Sequence, residues 1–518
     1  MSKLLKSSGV FALMTLLSRV LGLVRDVVIA KYFSVEQTDV FFTALRIPNT
    51  LRRFFAEGGF ANAFVPVLNE TKENRSQQAL QSLINHVFGV LGTILLIITL
   101  LGMVFAGYVI AVIGFGFAET PDRLALGTTM LRITFPYILF ISLTAFFAGI
   151  LNTYQRFALP AFAPALLNVA LITGALWFRD DFDPPALVLA WAVFIGGLSQ
   201  FLLQIPTLWR LKRLPRPKVS FAHKGVRKIL KLMLPTLLGS SVGQINILLN
   251  TALASSLVTG SITWLYYSDR LVEMPVALIG VALGVVILPR LSALKAQADN
   301  SQFRQTLLWA FRIAFLTGTA AATGLMVLAL PLMMTILARG EFSPYSAQMA
   351  AKSLTVYGFG ALALVLVKVL APGFYSRHNT RTPATIAIVC VGVNIVFALL
   401  LYRPLGHVGL ATSATIAGFV NCSTLLFFLH RDGCIAFDRR VWLFIARVLL
   451  ANVVMAVVLT VCNRYITVDT GWEDFTQLKR IAVLAVLILV GIVSYFAALL
   501  LLRVNIRSLV RPMSVVEK

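Results

Sequence analysis

The chain has 518 residues, 58% hydrophobic and only 13% charged, with a mean hydropathy of +0.85 and a formal net charge of +24. A soluble domain is nearer to about 45–50% apolar and about 25% charged, so a soluble globular protein is excluded and a polytopic membrane protein is expected. The positive charge reads as Lys and Arg collected in cytoplasmic loops, not as a nucleic-acid surface.

Apolar runs of about 20 residues, the length that crosses a bilayer as a helix, recur along the whole chain. Fourteen candidate spans follow in order, near 10–33, 41–67, 85–113, 127–151, 160–178, 185–208, 232–257, 262–288, 306–337, 348–375, 384–402, 408–429, 441–463 and 481–503. The first fifteen residues resemble a signal peptide, but Ser18-Arg19 interrupts the apolar core and no A-x-A site follows, so a retained first helix is expected. The expected fold class is therefore an all-α polytopic membrane protein of about 14 transmembrane helices.

The loops set the orientation. Arg210 to Lys231 holds nine basic residues and no acid. The loops at Arg156, at Arg377 and Arg381, and at Arg431, Arg439 and Arg440 fall on the same side, as does the tail with Arg507, Arg511 and Lys518. The opposite side receives "RDDFD" (Arg179 to Asp183), the uncharged Thr259-Gly260 and the acids Asp469, Glu473 and Asp474. Both termini are thus expected in the cytoplasm. The four cysteines, Cys390, Cys422, Cys434 and Cys462, lack metal or disulfide spacing and read as small apolar fillers.

A weak repeat runs through the chain. "AFVPVL" (Ala63 to Leu68) resembles "VILPRL" (Val286 to Leu291), placing Pro66 opposite Pro289 at a shift of 223. "NTYQRF" (Asn152 to Phe157) resembles "PGFYSRH" (Pro372 to His378), placing Tyr154 opposite Tyr375 and Arg156 opposite Arg377 at a shift of 221. The implied plan is two pseudo-symmetric six-helix lobes, 1–217 and 218–435, around a central cavity, with two extra helices and a cytoplasmic tail in 436–518. Prolines at Pro48, Pro160, Pro164, Pro235, Pro275 and Pro372 are expected to kink or break spans where neighbours or a cavity satisfy the freed backbone.

Charges inside the membrane are concentrated. Span 1 carries Arg19, Arg25 and Asp26; span 2 carries Arg46, Arg52, Arg53 and Glu57, with Asp39 at its mouth; span 8 carries Asp269, Arg270 and Glu273. One arginine at the centre of a membrane helix costs roughly 2.5–3.5 kcal/mol on insertion scales. Arg53 with Glu57 and Arg270 with Glu273 have same-face helical spacing, whereas Arg19, Arg25, Arg46 and Arg52 do not, although Asp26 adjoins Arg25. One reading makes the set structural ion pairs. Leaving out Asp39 at the mouth, six arginines face four acids, however, and the surplus favours a hydrated cavity that takes an anion, with arginine suited to phosphate by its planar fork.

No G-x-x-x-x-G-K-[ST] is present, so ATP binding by a P-loop is excluded. The paired aspartates of "RDDFD" could suggest a Mg²⁺ site, but an acidic outward loop is ordinary. His86, His223, His378, His407 and His430 all lie at span ends or in loops and suggest no buried acid–base pair. A transporter is expected, and not an enzyme. Gly280 and Gly284 are expected to mark close helix packing, and Lys368 to reach the cytoplasmic interface.

Four stretches carry a resemblance. "SRVLGLVRD" (Ser18 to Asp26), "TDVFFTALRIPNTLRRFFAEGGFANAFVPVL" (Thr38 to Leu68), "WLYYSDRLVEMPVALIGVALGVVILPRLS" (Trp264 to Ser292) and "VKVLAPGFYSR" (Val367 to Arg377) closely resemble the MurJ/MviN family, of the multidrug/oligosaccharidyl-lipid/polysaccharide exporter superfamily. The resemblance implies a bacterial inner-membrane flippase of lipid II, the undecaprenyl-diphosphate-linked disaccharide-pentapeptide of peptidoglycan biosynthesis, working by alternating access. It implies substrate-binding arginines at Arg19, Arg25, Arg52 and Arg270, with Asp26, Asp39, Arg53, Glu57, Asp269 and Glu273 as supporting cavity charges. It also implies a lipid-facing groove on the last two helices, to which no residue is assigned. Some relatives are linked to a sodium site; Asn246, Asn250 and Asn394 are loose candidates, and the sequence does not show one. No cofactor is implied, and coupling to an ion or to the membrane potential stays open. Lipid II and membrane lipids are the expected partners, with no nucleic acid, and a fold enclosing its own cavity is expected to be monomeric. The nearest alternative is a flippase for another undecaprenyl-diphosphate-linked oligosaccharide. A drug exporter for cations needs an acidic cavity, a transferase needs metal-spaced carboxylates, and a scaffold needs no buried arginines.

Overall fold

The computed structural model describes residues 2–53, 59–468 and 470–505, and these form helices without a strand. Helix is the physically required outcome for such apolar runs, because a bilayer offers no partner to a backbone N–H or C=O left open. Among the described residues, eleven helices are long and apolar enough to cross a membrane.

The chain forms two compact units, Met1–Ile262 with Gly340–Phe342, and Thr263–Arg339 with Ser343–Lys518. In chain order the first comprises α1 (Ser2–Tyr32), α2 (Val35–Arg52), α3 (Gly59–Asn74), α4 (Gln77–Val104), α5 (Ala106–Ile113), α6 (Pro121–Thr134), α7 (Tyr137–Thr153), α8 (Ala158–Thr173), α9 (Leu187–Arg210) and α10 (Lys224–Ser255). The second runs through α11 (Ser261–Pro275), α12 (Ala282–Ala296), α13 (Asn300–Val327), α14 (Ala329–Ile336), α15 (Pro344–Tyr375), α16 (Arg381–Leu405), α17 (His407–Arg431), α18 (Arg439–Ile466) and α19 (Gln477–Leu501). Inside the first unit α8 packs on α1 and α9, and α10 on α3; inside the second, α15 packs on α13 and α17, and α18 on α13 and α19. The stretch read as one span over 41–67 is described as α2 and α3 on either side of 54–58, which lie outside the described residues. Glu57, Asp469 and the tail with Arg507, Arg511 and Lys518 also lie outside them.

Helix boundaries repeat along the chain. α3, α4, α5, α6 and α8 begin at Gly59, Gln77, Ala106, Pro121 and Ala158, and α12 to α16 each begin 223 residues later, at Ala282, Asn300, Ala329, Pro344 and Arg381. Phe105, between α4 and α5, has φ −90° and ψ 11°; Leu328, between α13 and α14, has φ −95° and ψ 16°. Gln155 after α7 and His378 after α15 are both left-handed, with φ of 58° and 57°. That helix-ending geometry fixes the register at 223 and puts Tyr154 opposite Arg377, two residues from the pairing that the motif letters suggest. Matching residue types misled because the two positions use different chemistry for one job. Tyr154 Oη accepts from Arg213 Nε at 2.8 Å just past α9, and Arg377 Nη2 donates to Asp432 Oδ2 at 2.8 Å just past α17.

The basic linker after α9 is strapped to α4. Asn85 Oδ1 accepts from Arg216 N–H at 2.8 Å, its carbonyl accepts from Lys218 N–H at 3.2 Å, and Gln81 Nε2 donates to the Leu214 carbonyl at 3.1 Å. Gly89 makes room, since a Cβ there would lie 2.3 Å from the Lys218 carbonyl oxygen. At the end of the strap the His223 ring stacks on His86 at 4.5 Å. Burial, His86 and Arg75 hold the His223 pKa below its ordinary value. A depressed histidine takes a proton less readily in the folded than in the unfolded state, so the strap's contribution is present above pH about 6.5 and is lost as pH falls through the lower folded pKa. Limited proteolysis between residues 211 and 223 is therefore expected to accelerate on acidification from about pH 7.5 to about pH 5.5. His223→Phe, which stacks but does not titrate, should flatten that pH dependence.

Gly280 and Gly284 press against α15, as their spacing suggested. A Cβ on Gly284 would lie 2.8 Å from the Lys368 carbonyl oxygen, and one on Gly280 would lie 3.1 Å from Lys368 Cβ. Polar contacts fasten the last two helices. Asn452 Nδ2 donates to Thr319 Oγ1, Thr323 Oγ1 donates to Asn452 Oδ1, each at 3.0 Å, and Tyr495 Oη donates to the Leu316 carbonyl at 2.7 Å. Buried Arg480 is satisfied by the carbonyls of Trp472, Glu473, Met334 and Ala338 at 2.9–3.2 Å.

Candidate functional site

Arg25 lies among Val24, Val27 and Val28 on α1, where an uncompensated guanidinium would be costly. Its neighbour Asp26 is buried and accepts from Arg25 Nε at 3.0 Å and from Nη2 at 2.6 Å. The other fork of the guanidinium donates through Nη1 to Asn168 Oδ1 on α8 at 3.1 Å. Asn168 Nδ2 in turn donates to the Ser18 carbonyl one to two turns back on α1, at 3.0 Å. One buried amide thus fixes both the guanidinium plane and the packing of α1 on α8. Arg25 has a partner at i+1 where no i+3 or i+4 partner exists, because its long side chain turns back along the helix. Arg19, a turn and a half earlier, is exposed, and Arg46 and Arg52 on α2 are half-buried while Arg53 is exposed.

Asp39 is buried near the start of α2, whose capping box joins Ser34 and Gln37. Its Oδ2 accepts from the Gly260 N–H at 2.7 Å and from Arg123 Nη2 at 3.5 Å. Arg123 also donates to Thr259 Oγ1 at 3.3 Å and lies over the Phe117 ring at 4.5 Å. Asp39 is therefore engaged with the turn between α10 and α11 and with α6.

In the second unit, α11 presents Asp269, exposed, and Arg270, whose Nη1 donates to Glu273 Oε2 at 3.1 Å. That pair has the i, i+3 spacing read from the sequence. Pro275 then ends the regular helix, and Val276–Val281 continues as a π-helix before α12. Such wide turns interrupt the i→i−4 ladder and often accompany functional sites. An apolar cavity of about 740 Å³ in this unit, lined by Met326, Thr355, Phe359, Thr415, Phe419 and Thr424 among others, has no charged side chain and lies apart from this cluster in sequence.

The structure brings together Arg25 with Asp26 and Arg270 with Glu273, and it places Asp39 with Arg123. Two residues of these clusters escaped the sequence reading. Asn168 gave one signal, a lone carboxamide in an otherwise apolar span; Arg123 gave none, since its partners are 84 and 136 residues away. Among the described residues no group of three or more His, Cys, Asp or Glu is placed to hold a metal ion.

Comparison with known proteins adds the following. The sequence profile of the family described as Lipid II flippase MurJ matches residues 29–478. A curated protein of Vibrio cholerae serotype O1, "Probable lipid II flippase MurJ", is 42% identical over 515 residues, covering 98% of each chain. A solved structure described as "Lipid II flippase MurJ, inward closed conformation" superposes with a TM-score of 0.80 at 27% identity, covering 97% of this chain and 99% of that one. An inward-facing multidrug resistance MATE family transporter of the MOP superfamily shares the fold at a TM-score of 0.67 and 14% identity, covering 82% of this chain and 98% of that one.

Proposed function

The chain belongs to the lipid II flippase MurJ family, and from that premise we propose how it moves its substrate. It is a transporter, a flippase of lipid II, and not an enzyme. The head crosses by alternating access while the polyprenyl tail stays in the bilayer. Arg19, Arg25, Arg52 and Arg270 take the diphosphate, and Asp26, Asp39, Arg53, Glu57, Asp269 and Glu273 are the supporting charges that hold and tune them. Fourteen transmembrane helices are proposed, six in each repeat (1–217 and 218–435) and two more in 436–518, with both termini in the cytoplasm of the bacterial inner membrane. α10 opens the second repeat by sequence although it packs within the first compact unit. A monomer suffices for this scheme.

The observation that carries the anionic-head reading is the mounting of Arg25. A buried carboxylate and a buried carboxamide hold its guanidinium flat and oriented inside a membrane helix. Carboxylate and phosphate oxygens are the acceptors that such a fork matches in pairs. Part of the guanidinium's charge is offset by Asp26, which keeps the site from trapping its ligand. Each elementary charge that crosses the full membrane potential is worth about 2.3 kcal/mol per 100 mV, so a cationic site returning empty responds to that potential.

The test uses spheroplasts depleted of this protein and of any second flippase, to which a non-permeant agent that cleaves lipid II is added. Newly made lipid II is expected to accumulate protected from the agent, and re-expression is expected to restore cleavage. Undiminished cleavage after depletion would sink the substrate assignment.

A further inference from the structure

One seam of the fold is built differently in the two repeats. In the first, α7 meets α9 where a Cβ on Gly197 would lie 3.5 Å from Phe140 Cβ; in the second, α15 meets α17 where a Cβ on Gly418 would lie 3.7 Å from Ala363 Cβ. Phe140 and Ala363 are 223 residues apart, whereas Gly197 and Gly418 are 221 apart. Lys212 and Gly433, the left-handed residues that follow α9 and α17, are also 221 apart. The loop before the last helix of each repeat therefore absorbs two residues. In the first repeat the seam is plugged by its own rings, Phe194 standing edge-on to Phe140 at 5.4 Å and to Trp191 at 5.8 Å. The counterparts of Phe140, Phe194 and Trp191 are Ala363, Thr415 and Thr412. There the second repeat holds its apolar cavity of about 740 Å³, with Thr412 and Thr415 in the wall.

The threonines of the cavity offer a ligand methyl groups only. The hydroxyls of Thr355, Thr412, Thr415 and Thr424 each donate to a backbone carbonyl, of Ala351, Val408, Val356 and Val420, at 2.7–3.1 Å. The rings of Phe359 and Phe419, 4.7 Å apart, complete an apolar wall on two helices fit to cross the membrane. A cation stands above it. Lys352 is exposed on α15, three and four residues outward from Thr355 and Val356 and so on their face of the helix. Its Nζ reaches Met349 Sδ at 3.7 Å and, among the described residues, no acid within ion-pair distance. Glu473, a carboxylate at this end of the helix, accepts instead from Gln348 Nε2 at 2.6 Å. The first repeat has Thr129 in place of Lys352. Cavity and cation thus occur together in one repeat and are both missing from the other.

We propose that Lys352 and the cavity beneath it form an outer-leaflet holding site for a polyprenyl diphosphate, with Nζ on a diphosphate oxygen and the first part of the chain lying between α15 and α17. The proposal rests on the flippase reading and on the orientation given with it, which places the start of α15 outside. The charge of Lys352 matches the diphosphate, and its position one turn above an apolar wall matches a head joined directly to a hydrocarbon chain. A polyprenyl diphosphate brings one chain to one cavity, whereas a glycerophospholipid brings two. A flexible exposed ammonium is a weak point charge, which suits a site that holds the flipped lipid briefly and gives it up to the bilayer. The site lies within the second unit and uses none of the arginines assigned to the head.

The test uses the full chain in nanodiscs of phosphatidylethanolamine and phosphatidylglycerol, with a polyprenyl diphosphate whose chain carries a diazirine. Crosslinked peptides are mapped by mass spectrometry. Crosslinks are expected on α15 and α17 at the cavity wall, displaced by excess unlabelled undecaprenyl diphosphate. Lys352→Thr, which installs the residue of the first repeat, is expected to lower them about threefold or more, and Lys352→Arg to retain them. Thr412→Trp installs the first repeat's plug and is expected to abolish crosslinks at this wall while sparing those elsewhere on the chain. Melting temperatures report folding, and the two Lys352 variants decide the matter should Thr412→Trp fail to fold. Wild-type crosslinking in Lys352→Thr overturns the site. So does crosslinking that unlabelled undecaprenyl diphosphate cannot displace, or a photoreactive phosphatidylglycerol that labels the same wall and resists that competitor, which would give the cavity to ordinary bilayer lipid. Binding in nanodiscs needs no transport, so a failed lipid II assignment in spheroplasts would leave this result readable.

Discussion

Arg270→Ala is expected to leave newly made lipid II on the inner leaflet, with cleavage by an external agent falling to the level of depleted spheroplasts. The side chain is one-third exposed and donates to Glu273 through Nη1, so a ligand can reach the guanidinium while that bond holds it in place. A charge-assisted hydrogen bond contributes about 1.5–3 kcal/mol, and removing it costs roughly 10- to 100-fold in affinity for the head. Truncation also leaves Glu273 beside Asp269, two like charges four residues apart, which repel each other and the diphosphate. Arg270→Lys keeps the charge and loses the planar fork, so it should retain a fraction of activity between wild type and alanine. Immunoblotting must show the variant at wild-type level. Wild-type cleavage in Arg270→Ala would remove this residue from the substrate site.

How far the letters reached depends on the distance over which each contact acts. Apolar runs and basic loops are local, and the helices stand where those runs lie. Arg270 with Glu273 was readable because a helix turns once in 3.6 residues and brings i and i+3 together. The Arg25–Asp26 pair was visible as adjacency but not as a bond, since side chains at i and i+1 do not ordinarily face each other. Here the third member, Asn168, lies 143 residues away and turns the guanidinium into line. The repeat shows the same limit. Residue matches gave shifts of 223 and 221, and only matching helix starts and left-handed ends made the shift a single value. Arg123 and Gly260, both on Asp39, lie 84 and 221 residues from it in sequence. No periodicity links them.

Asp26→Ala should be the most damaging single change to the first unit that leaves every proposed ligand-binding arginine in place. Asp26 is 1% exposed and takes two bonds from Arg25, whose side chain is 13% exposed. Removing one member of a buried pair typically costs about 3–5 kcal/mol, because the remaining charge keeps its desolvation penalty. Total stability of a domain is only about 5–15 kcal/mol, so a melting temperature in detergent well below wild type is expected, with reduced protein in the membrane. Asp26→Asn separates the two roles of the carboxylate. Its amide oxygen can still accept from Arg25, so folding should largely survive, while the guanidinium loses its counter-charge and binds the diphosphate more tightly. Tighter binding of the loaded state slows release, so the Asp26→Asn variant should bind a lipid II analogue at least as well as wild type and flip it more slowly. Should Asp26→Asn weaken binding instead, the carboxylate would be orienting Arg25 by geometry alone. Asn168→Leu should then reproduce the loss, since Asn168 supplies the other half of that geometry.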